Sequence, residues 1–326
     1  MRYNKIVMLM LSSFYQTVFG VKTYKLALDA GCTCPNRDGT KGSGGCIFCS
    51  QAGSGDFVSS RSLPVVEQVA LAKQKVESKM RGRTGERRGK YIVYFQNFSS
   101  TYGDPQTLLK KYSEALKCPD VEGLAVATRP DCLNDEILAG LALFAKNHFV
   151  QIELGLQTSN EKTGQFINRC YTNQDYLSTV QKIKEMAKNI HIVTHLIFGL
   201  PGETEKDMLE SVSFVVKANC QSPYASLRPS EADYFGIKIT SLYIVENTKL
   251  AEFYAQGQYQ PLEKSEYFAL LKKTLPLLPE NCVLHRLTGD PPKKILVSPL
   301  WPADKKRVIN ELKKMLNNYS QTPKIK

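Results

Sequence analysis

The sequence predicts an α/β protein built around a parallel β-sheet. Apolar runs suited to buried strands alternate along the chain with amphipathic stretches of helical period, and polar or glycine-rich residues follow five of the apolar runs. Repeated strand–helix alternation is typical of βαβ units. Six strands with helices outside them form either an open doubly wound sheet or a partial barrel, and the alternation alone leaves both open.

The predicted elements follow one another in a regular order. Strands are expected at 24–30, 91–95, 123–128, 149–156, 191–199 and 236–245. Helices are expected at 64–80, 104–116, 133–145, 174–188 and 205–217. After residue 248 the repeat ends, and we expect a helix at 263–275, short strands at 283–288 and 295–297, and a helix at 304–316.

This pattern divides the chain into an entry segment (1–22), a core (23–248), a small α+β C-terminal extension (249–316) and a frayed tail (317–326). The basic, glycine-rich link at 81–90 is expected to be a solvated loop.

Composition narrows the functional class. Of 326 residues, 42% are hydrophobic and 23% are charged, which excludes a disordered chain, a fibre and a polytopic membrane protein. The formal net charge of +12 favours polyanionic partners, RNA among them. No run reaches the roughly 20 apolar residues that a membrane span needs, and residues 1–11 are better explained by an amphipathic entry helix than by a signal peptide. We therefore expect a cytoplasmic protein that does not use a membrane.

Four of the nine cysteines lie between positions 32 and 49. An odd total with such clustering indicates reduced thiols and a local metal site rather than a disulfide framework. Cys46 and Cys49 form a Cys-x2-Cys pair, and the loop before them is rich in glycine. Zinc could take Cys32 and Cys34 as further ligands, whereas a 4Fe–4S cluster needs only three thiolates. The loop alone does not decide between them.

The cysteine loop, which we define as residues 34–49, follows the first predicted strand. Polar or glycine-rich segments follow the next four strands in the same way, at 96–97, 129–131, 157–158 and 199–203. Because the carboxyl ends of parallel strands meet at one edge, these segments predict one shared site.

Six ordered blocks of sequence resemble the radical S-adenosylmethionine (SAM) superfamily, and within it the YhcC/YtqA-type family, which is related to the radical SAM domain of the elongator catalytic subunit. The blocks are LDAGCTCPNRDGTKGSGGCIFCS, YFQNFSSTYGD, ATRPDCL, ELGLQTSNEKTGQFINR, THLIFGLPGET and HRLTGDPPKKILVSP. The resemblance covers residues 15–316 and implies a partial (β/α)6 barrel of the TIM type. Two cysteines depart from the pattern: Cys32 stands where Phe is expected, and Cys170 where Gly is expected.

The resemblance also implies a mechanism. Cys34, Cys46 and Cys49 would hold three irons of a 4Fe–4S cluster, and SAM would chelate the fourth. One electron from an external donor of the flavodoxin or ferredoxin type would cleave SAM to a 5′-deoxyadenosyl radical. This radical would abstract hydrogen from a substrate, for which RNA is the candidate class. The protein itself would position and shield the cofactor.

Further site residues follow from the same resemblance. We expect Phe48 and the backbone of the segment that begins at Leu200 near the adenine, Gln96 near the SAM amino group, and Glu153 and Gln157 at the ribose hydroxyls.

Arg169 would pair with the SAM carboxylate. His195, His285 and Arg286 are candidates for orienting substrate. Ordinary structural roles for Arg169, His195 and His285 stay open at this point. The alternative function is a non-catalytic, zinc-stabilised nucleic-acid-binding protein that uses Cys32, Cys34, Cys46 and Cys49.

Overall fold

The computed structural model describes residues 9–51, 53, 58, 61–80, 89–220 and 234–321. Positions 1–8 of the entry segment, 81–88 of the basic link and 322–326 of the tail lie outside the described residues. No described helix is long and apolar enough to cross a membrane.

The main sheet has eight strands, all parallel, in the order β1-β9-β7-β6-β5-β4-β3-β2. It curls into a half-barrel with helices outside, so the predicted partial TIM-type barrel is confirmed. The first five expected strands form β2 to β6, the sixth is divided between β7 and the separate strand β8, and β1 and β9 extend the main sheet beyond β2 to β7. The ten strands are β1 (Leu9–Met10), β2 (Thr23–Leu28), β3 (Lys90–Phe95), β4 (Val121–Thr128), β5 (Phe149–Gln157), β6 (Ile190–Phe198), β7 (Phe235–Ser241), β8 (Ile244–Val245), β9 (Cys282–Arg286) and β10 (Leu296–Ser298).

Helices connect the strands much as the amphipathic stretches predict. They are α1 (Leu11–Phe19), α2 (Val65–Met80), α3 (Pro105–Leu116), α4 (Asp135–Phe144), α5 (Glu161–Phe166), α6 (Asn173–Met186), α7 (Glu205–Cys220), α8 (Lys249–Ala255), α9 (Lys264–Thr274) and α10 (Lys305–Gln321). The last helix continues five residues past the expected end at 316, so the first half of the predicted tail is helical.

Local sequence explains where several helices begin. Asp104 accepts a hydrogen bond from the Thr107 amide, and Pro105 occupies the first turn of α3. Thr172 and Asp175 form a reciprocal capping box at the start of α6. These caps satisfy amide groups that would otherwise lack partners.

Alternation along the strands separates two environments. In β3, Val93 and Phe95 belong to the core between the sheet and the outer helices, whereas Ile92 and Tyr94 face the inside of the half-barrel. Inward positions of β2, β5 and β7 carry charged side chains instead. The side chains in the middle of the lumen are therefore polar, whereas the outer face of the sheet, which packs against the helices, is apolar.

Helix α1 covers the amino-terminal end of the lumen. It contacts β2 at one edge of the sheet and β1 and β9 at the other. Phe14 stacks on His191 at 4.8 Å between ring centroids, and the Tyr15 hydroxyl donates to Gln151. The sheet edges are thus bridged at that end of the half-barrel.

The predicted extension does not stand apart from the core. Its strand β9 pairs with β7 in the main sheet, and β10 pairs antiparallel with β8 beside the carboxyl ends of the strands. The segment 249–316 therefore helps to build the lumen wall.

Candidate active site

A cavity of ≈ 330 Å³ opens at the carboxyl ends of the strands and reaches into the half-barrel. Its wall includes residues from β3 to β7, from the cysteine loop and from the segment after β9. The shared site expected at the strand ends is therefore present, and the segments 96–97, 129–131 and 157–158 each contribute a residue to its wall.

The cysteine loop places three thiols on the cavity wall. Cys34, Cys46 and Cys49 all line it, whereas Cys32 is buried in the core outside the sheet. Burial raises the pKa of Cys32 to about 11, so this thiol stays protonated at neutral pH. The structure thus places Cys34, and not Cys32, on the cavity wall.

Polar contacts from a distant segment hold the loop in place. The Asn36 amide donates to the backbone oxygens of Asn168 at 2.6 Å and Arg169 at 3.1 Å. In return, the Asn168 amide donates to the Gly45 oxygen at 2.8 Å. These reciprocal bonds explain how a loop without an apolar core of its own is ordered.

Glycine permits the tightest part of the loop. Gly44 and Gly45 have φ angles of +76° and +81°, a region that side chains disfavour. A Cβ at Gly45 would lie 2.9 Å from Arg37 Nε. Arg37 in turn donates to the backbone oxygens of Ser50 and Cys49 and so fastens the end of the loop.

Arginines surround the thiols. Arg129 forms a two-pronged pair with Asp131, at 2.8 Å on both sides, and its Nη1 lies 3.8 Å from Cys34 Sγ. Burial opposes the guanidinium charge, but Asp131 more than offsets this and raises the pKa of Arg129. Hydrogen bonding from Cys46, with Arg37 nearby, lowers the pKa of Cys49. The same hydrogen bond and burial raise the pKa of Cys46, so the site favours the thiolate form at Cys49.

The donor set discriminates between the two inorganic possibilities. Across the described residues, no group of three or more His, Cys, Asp or Glu side chains is arranged to hold a single metal ion. With Cys32 turned into the core, a four-thiolate zinc site lacks its fourth ligand. Three thiols that line one cavity match the three thiolates that a 4Fe–4S cluster needs.

Three of the predicted SAM contacts lie on the same wall. Phe48, Gln96 and Gln157 line the cavity. Gln157 has a φ of +64° and accepts a hydrogen bond of 2.6 Å from the Tyr171 hydroxyl, which fixes the amide at the end of β5. These residues are in position for the expected roles, which stay predictions.

Glu153 also lines the cavity, but its carboxylate is already occupied. It accepts from Lys25 at 2.7 Å and from Lys238, Tyr94 and Gln151. The two ammonium groups hold the pKa of Glu153 well below its usual range although burial opposes this. We call Lys25, Tyr94, Glu153 and Lys238 the lumen floor. A carboxylate with four donors has no capacity left for ribose hydroxyls, so that prediction does not fit this structure.

Arg169 does not reach the cavity. It is fully buried, and its guanidinium donates to the backbone oxygens of Leu156, Thr158 and Tyr171 and to two side chains, those of Glu161 and Asn173. With these donors committed, the expected pairing with a SAM carboxylate does not fit. Arg169 instead ties the end of β5 to the segment that holds the cysteine loop.

One further expectation does not match the placement of the side chain. His285 stacks on His191, with the two Nε2 atoms 2.8 Å apart, and faces the closed end of the lumen. Its role here is structural, because packing rather than a ligand occupies its ring. The Leu200 side chain is buried in a small core cluster with Ile47 and Leu250, which anchors the segment whose backbone was expected near the adenine; that contact stays a prediction.

His195 and Arg286 do line the cavity, and between them lies a residue that the sequence analysis missed. Lys238 sits in the middle of β7, in the apolar run Phe-Gly-Ile-Lys-Ile-Thr-Ser. A lysine inside a buried strand is itself a signal, since burying an ammonium is costly without a partner. Tyr171 was also missed as a wall residue, whereas Arg129 belongs to the segment 129–131 that was expected at the site.

Comparison with known protein families gives two matches along the chain. Residues 39–215 match the model of the Radical SAM superfamily, and residues 235–318 match the model of the Radical_SAM C-terminal domain. Together they span the cysteine loop from residue 39 onward, which includes Cys46 and Cys49, most strands of the half-barrel and the segment that contributes β9.

Whole-length relatives agree with these matches. The chain is 36% identical to YtqA of Bacillus subtilis over 300 residues, covering 92% of this chain and 86% of that protein. It is 31% identical to YhcC of Escherichia coli K12, covering 92% and 89%. Among solved structures, Elp3 from the archaeon Methanocaldococcus infernus superimposes with a TM-score of 0.59 at 15% identity; the match covers 90% of this chain and 63% of that one. This last similarity is one of fold.

Proposed function

The chain belongs to the radical SAM superfamily, and from this we propose that it binds a 4Fe–4S cluster through Cys34, Cys46 and Cys49 and reductively cleaves S-adenosylmethionine. The observation that carries the proposal is the meeting of these three thiols on one cavity wall at the carboxyl ends of the strands. The cluster and SAM, when bound, supply a carbon radical able to abstract hydrogen from a substrate.

The chain's own residues prepare the site for such a group. Arg129 brings positive charge to the thiolate end and is locked in direction by Asp131. Asn36 and Asn168 fix the cysteine loop against the segment after α5. A preorganised loop of this kind loses little freedom when it takes up its ligand.

SAM contacts are proposed for the residues that reach the wall. Phe48 offers an aromatic face beside Cys46 and Cys49, and Gln96 and Gln157 offer amides at the ends of β3 and β5. Apolar wall residues such as Ile197 and Leu242 would exclude water from the reacting atoms.

Reduction requires an external one-electron donor, for which we propose a flavodoxin- or ferredoxin-type protein. RNA is our candidate substrate class, supported by the formal net charge of +12. Hydrogen abstraction is the last step that the residues support.

Anaerobic reconstitution with iron and sulfide tests the proposal. We expect about four irons per chain, a tetranuclear Mössbauer or EPR signal, and release of 5′-deoxyadenosine after addition of dithionite and SAM. Single Ser replacements of Cys34, Cys46 or Cys49 should abolish the signal and the cleavage.

Two cysteines provide matched controls. Cys32→Ser changes a core thiol two residues from Cys34, and Cys220→Ser changes an exposed thiol at the end of α7. Both should keep the cluster signal. Loss of the signal in Cys32→Ser but not in Cys34→Ser would reassign the first ligand, and one zinc per chain with no tetranuclear species would overturn the proposal.

A further inference from the structure

Three basic side chains stand side by side in the lumen. His195 of β6 pairs in register with Lys238 of β7, and Lys238 pairs with Arg286 of β9. Neighbouring strands lie about 4.8 Å apart, and residues in register point to the same face of a sheet. All three side chains line the cavity. We call His195, Lys238 and Arg286 the basic row.

The cavity continues past one end of the basic row. The residue in register with His195 on the next strand is Gly155, which has no side chain and also lines the cavity. The Gln157 amide lies against this glycine, where an added Cβ would be 2.6 Å from its Nε2. The row therefore borders a part of the cavity wall that Gln157 helps to form.

The charges around the basic row do not balance. Lys25, Lys238 and Arg286 carry three positive charges, while Glu153 and Asp290 are the carboxylates paired with them, and Asp290 also pairs with Lys305. At least one positive charge is left over beside the buried Lys238 and Glu153, although the Arg286 side chain itself is 33% exposed. A buried charge without a counter-charge is costly, so the arrangement favours one added anion.

Hydrogen-bond donors are also left over. Lys238 uses its ammonium on Glu153 and on the Tyr94 hydroxyl at 3.1 Å, which leaves one of its three protons without a partner within the described ranges. Arg286 donates Nε to the Thr288 oxygen, and its Nη2 lies 3.5 Å from Asp290. Its Nη1 has no hydrogen-bond partner in the part of the chain that the structure describes.

We propose that the basic row is a binding subsite for a singly charged oxyanion of the substrate, a carboxylate or a phosphodiester. This inference rests on the proposed function, since it names the substrate chemistry of the same cavity. Arg286 and Lys238 pair with the anion's oxygens, and His195 adds a neutral hydrogen-bonding group. The anion fixes one end of the substrate deep in the lumen, so that the rest of the substrate lies toward the cysteine loop.

The protonation states agree with this arrangement. Burial lowers the pKa of Lys238 to about 8, and burial with Lys238 nearby lowers the pKa of His195 to about 3. A bound anion would therefore stabilise the charged form of Lys238, and His195 would bind as the neutral imidazole.

Direct anion binding tests the proposal without any turnover. We would titrate the full chain, with and without reconstituted cluster, with acetate and with dimethyl phosphate at constant ionic strength, and follow binding by calorimetry or ligand-observed NMR. We expect saturable binding of at least one anion at one site, weakened tenfold or more in Lys238→Met and in Arg286→Gln. Lys206→Met, in an exposed lysine of α7, should leave the affinity unchanged within twofold.

The acetate and dimethyl phosphate titrations distinguish the two kinds of anion. Preference for acetate assigns a carboxylate substrate, and preference for dimethyl phosphate assigns a phosphodiester such as a nucleic-acid backbone. Equal affinity in wild type, Lys238→Met and Arg286→Gln would overturn the proposal. Because Lys238→Met removes a partner of Glu153, circular dichroism checks its fold, and the partly exposed Arg286→Gln carries the test if that variant unfolds.

A rival occupant is the carboxylate of SAM itself. SAM affinity, measured by equilibrium dialysis on the cluster-loaded chain, should change by less than twofold in Arg286→Gln if the basic row serves the substrate. A tenfold loss of SAM affinity would overturn the proposal in favour of that rival. Failure of the proposed function would look different: no cluster and no SAM cleavage in wild type, whatever the anion titrations give.

Discussion

The two ends of the cavity are built in different ways. The cysteine loop is held by side-chain bonds to backbone groups, such as Asn36 to Asn168, that lie more than a hundred residues away in the chain. The lumen floor is held by the register of the sheet, which places Lys25 and Lys238 on either side of Glu153. A loop of the first kind can open alone, whereas the floor can open only with the sheet. Changes in the loop should therefore affect the ligand site, and changes in the floor should affect the whole fold.

The largest effect is expected at Glu153. Glu153→Gln keeps the shape of the side chain but leaves two buried ammonium groups facing a neutral amide. Removing one partner of a buried ion pair costs about 3–5 kcal/mol, so the free energy of unfolding in urea should fall by that amount.

The matched control is Glu210→Gln, which neutralises an exposed partner of Lys206 and should cost less than about 0.5 kcal/mol. A Glu153→Gln protein of unchanged stability with weakened SAM binding would contradict this account and restore the ribose contact expected from the sequence.

Lowering the pH should reduce the stability of the lumen more than that of the cysteine loop. Burial lowers the pKa of His191 and His195 to about 3, and also lowers the pKa of His285. Unfolded histidines take up protons as the pH falls through 6.5, whereas these folded ones do not. Each should therefore remove about 1 kcal/mol of stability between pH 6.5 and 5.5.

One carboxyl opposes this trend. Burial raises the pKa of Glu203 to about 7, so the folded chain gains a proton there as the pH falls and recovers about 1 kcal/mol over the same interval. Urea unfolding should thus show a net loss of about 2 kcal/mol. In Glu203→Gln the loss of unfolding free energy between pH 6.5 and 5.5 should grow to about 3 kcal/mol. An unfolding free energy that does not change with pH in the wild type would show that the histidines are not buried as neutral groups.

The smallest effect on global stability is expected in the cysteine loop. Gly45→Ala introduces a Cβ at φ +81° and 2.9 Å from Arg37 Nε, which should cost about 1–2 kcal/mol locally. We expect the rate of iron loss to a chelator to rise, while urea unfolding of the sheet changes little.

Gly44→Ala separates the two causes. Its φ is +76°, but no atom lies within 4 Å of an added Cβ, so only the backbone cost applies. Iron loss should be slower in Gly44→Ala than in Gly45→Ala. Equal rates would show that the Arg37 contact does not matter, and a large drop in sheet stability would contradict the independence of the loop.

Sequence reasoning recovered the parts of the molecule that depend on local pattern. Apolar runs predicted β2 to β7, because buried parallel strands need them. The spacing of Cys46 and Cys49 and the resemblance to a family predicted the thiol end of the cavity. Both signals lie within short stretches of chain.

What could not be predicted depends on pairing across the sheet. The sequence shows a lysine, Lys238, inside the apolar run of β7. It does not show that Glu153 pairs with this lysine or that Arg286 lies in register beside it, because the register of the strands sets both. Arg169 shows the reverse error: a buried arginine whose acceptors are backbone oxygens looks, in sequence, the same as one that binds a ligand. Only the fold distinguishes them.

The position of α1 also affects how ligands reach the cavity. Because α1 covers the amino-terminal end of the half-barrel, the cavity opens at the carboxyl ends of the strands, beside the thiols. If the basic row holds a substrate anion, as we propose, a cofactor bound at the thiols would lie between that substrate and this opening. The substrate would then bind before the cofactor and leave after it, in an order set by a nine-residue helix that lies away from the thiols.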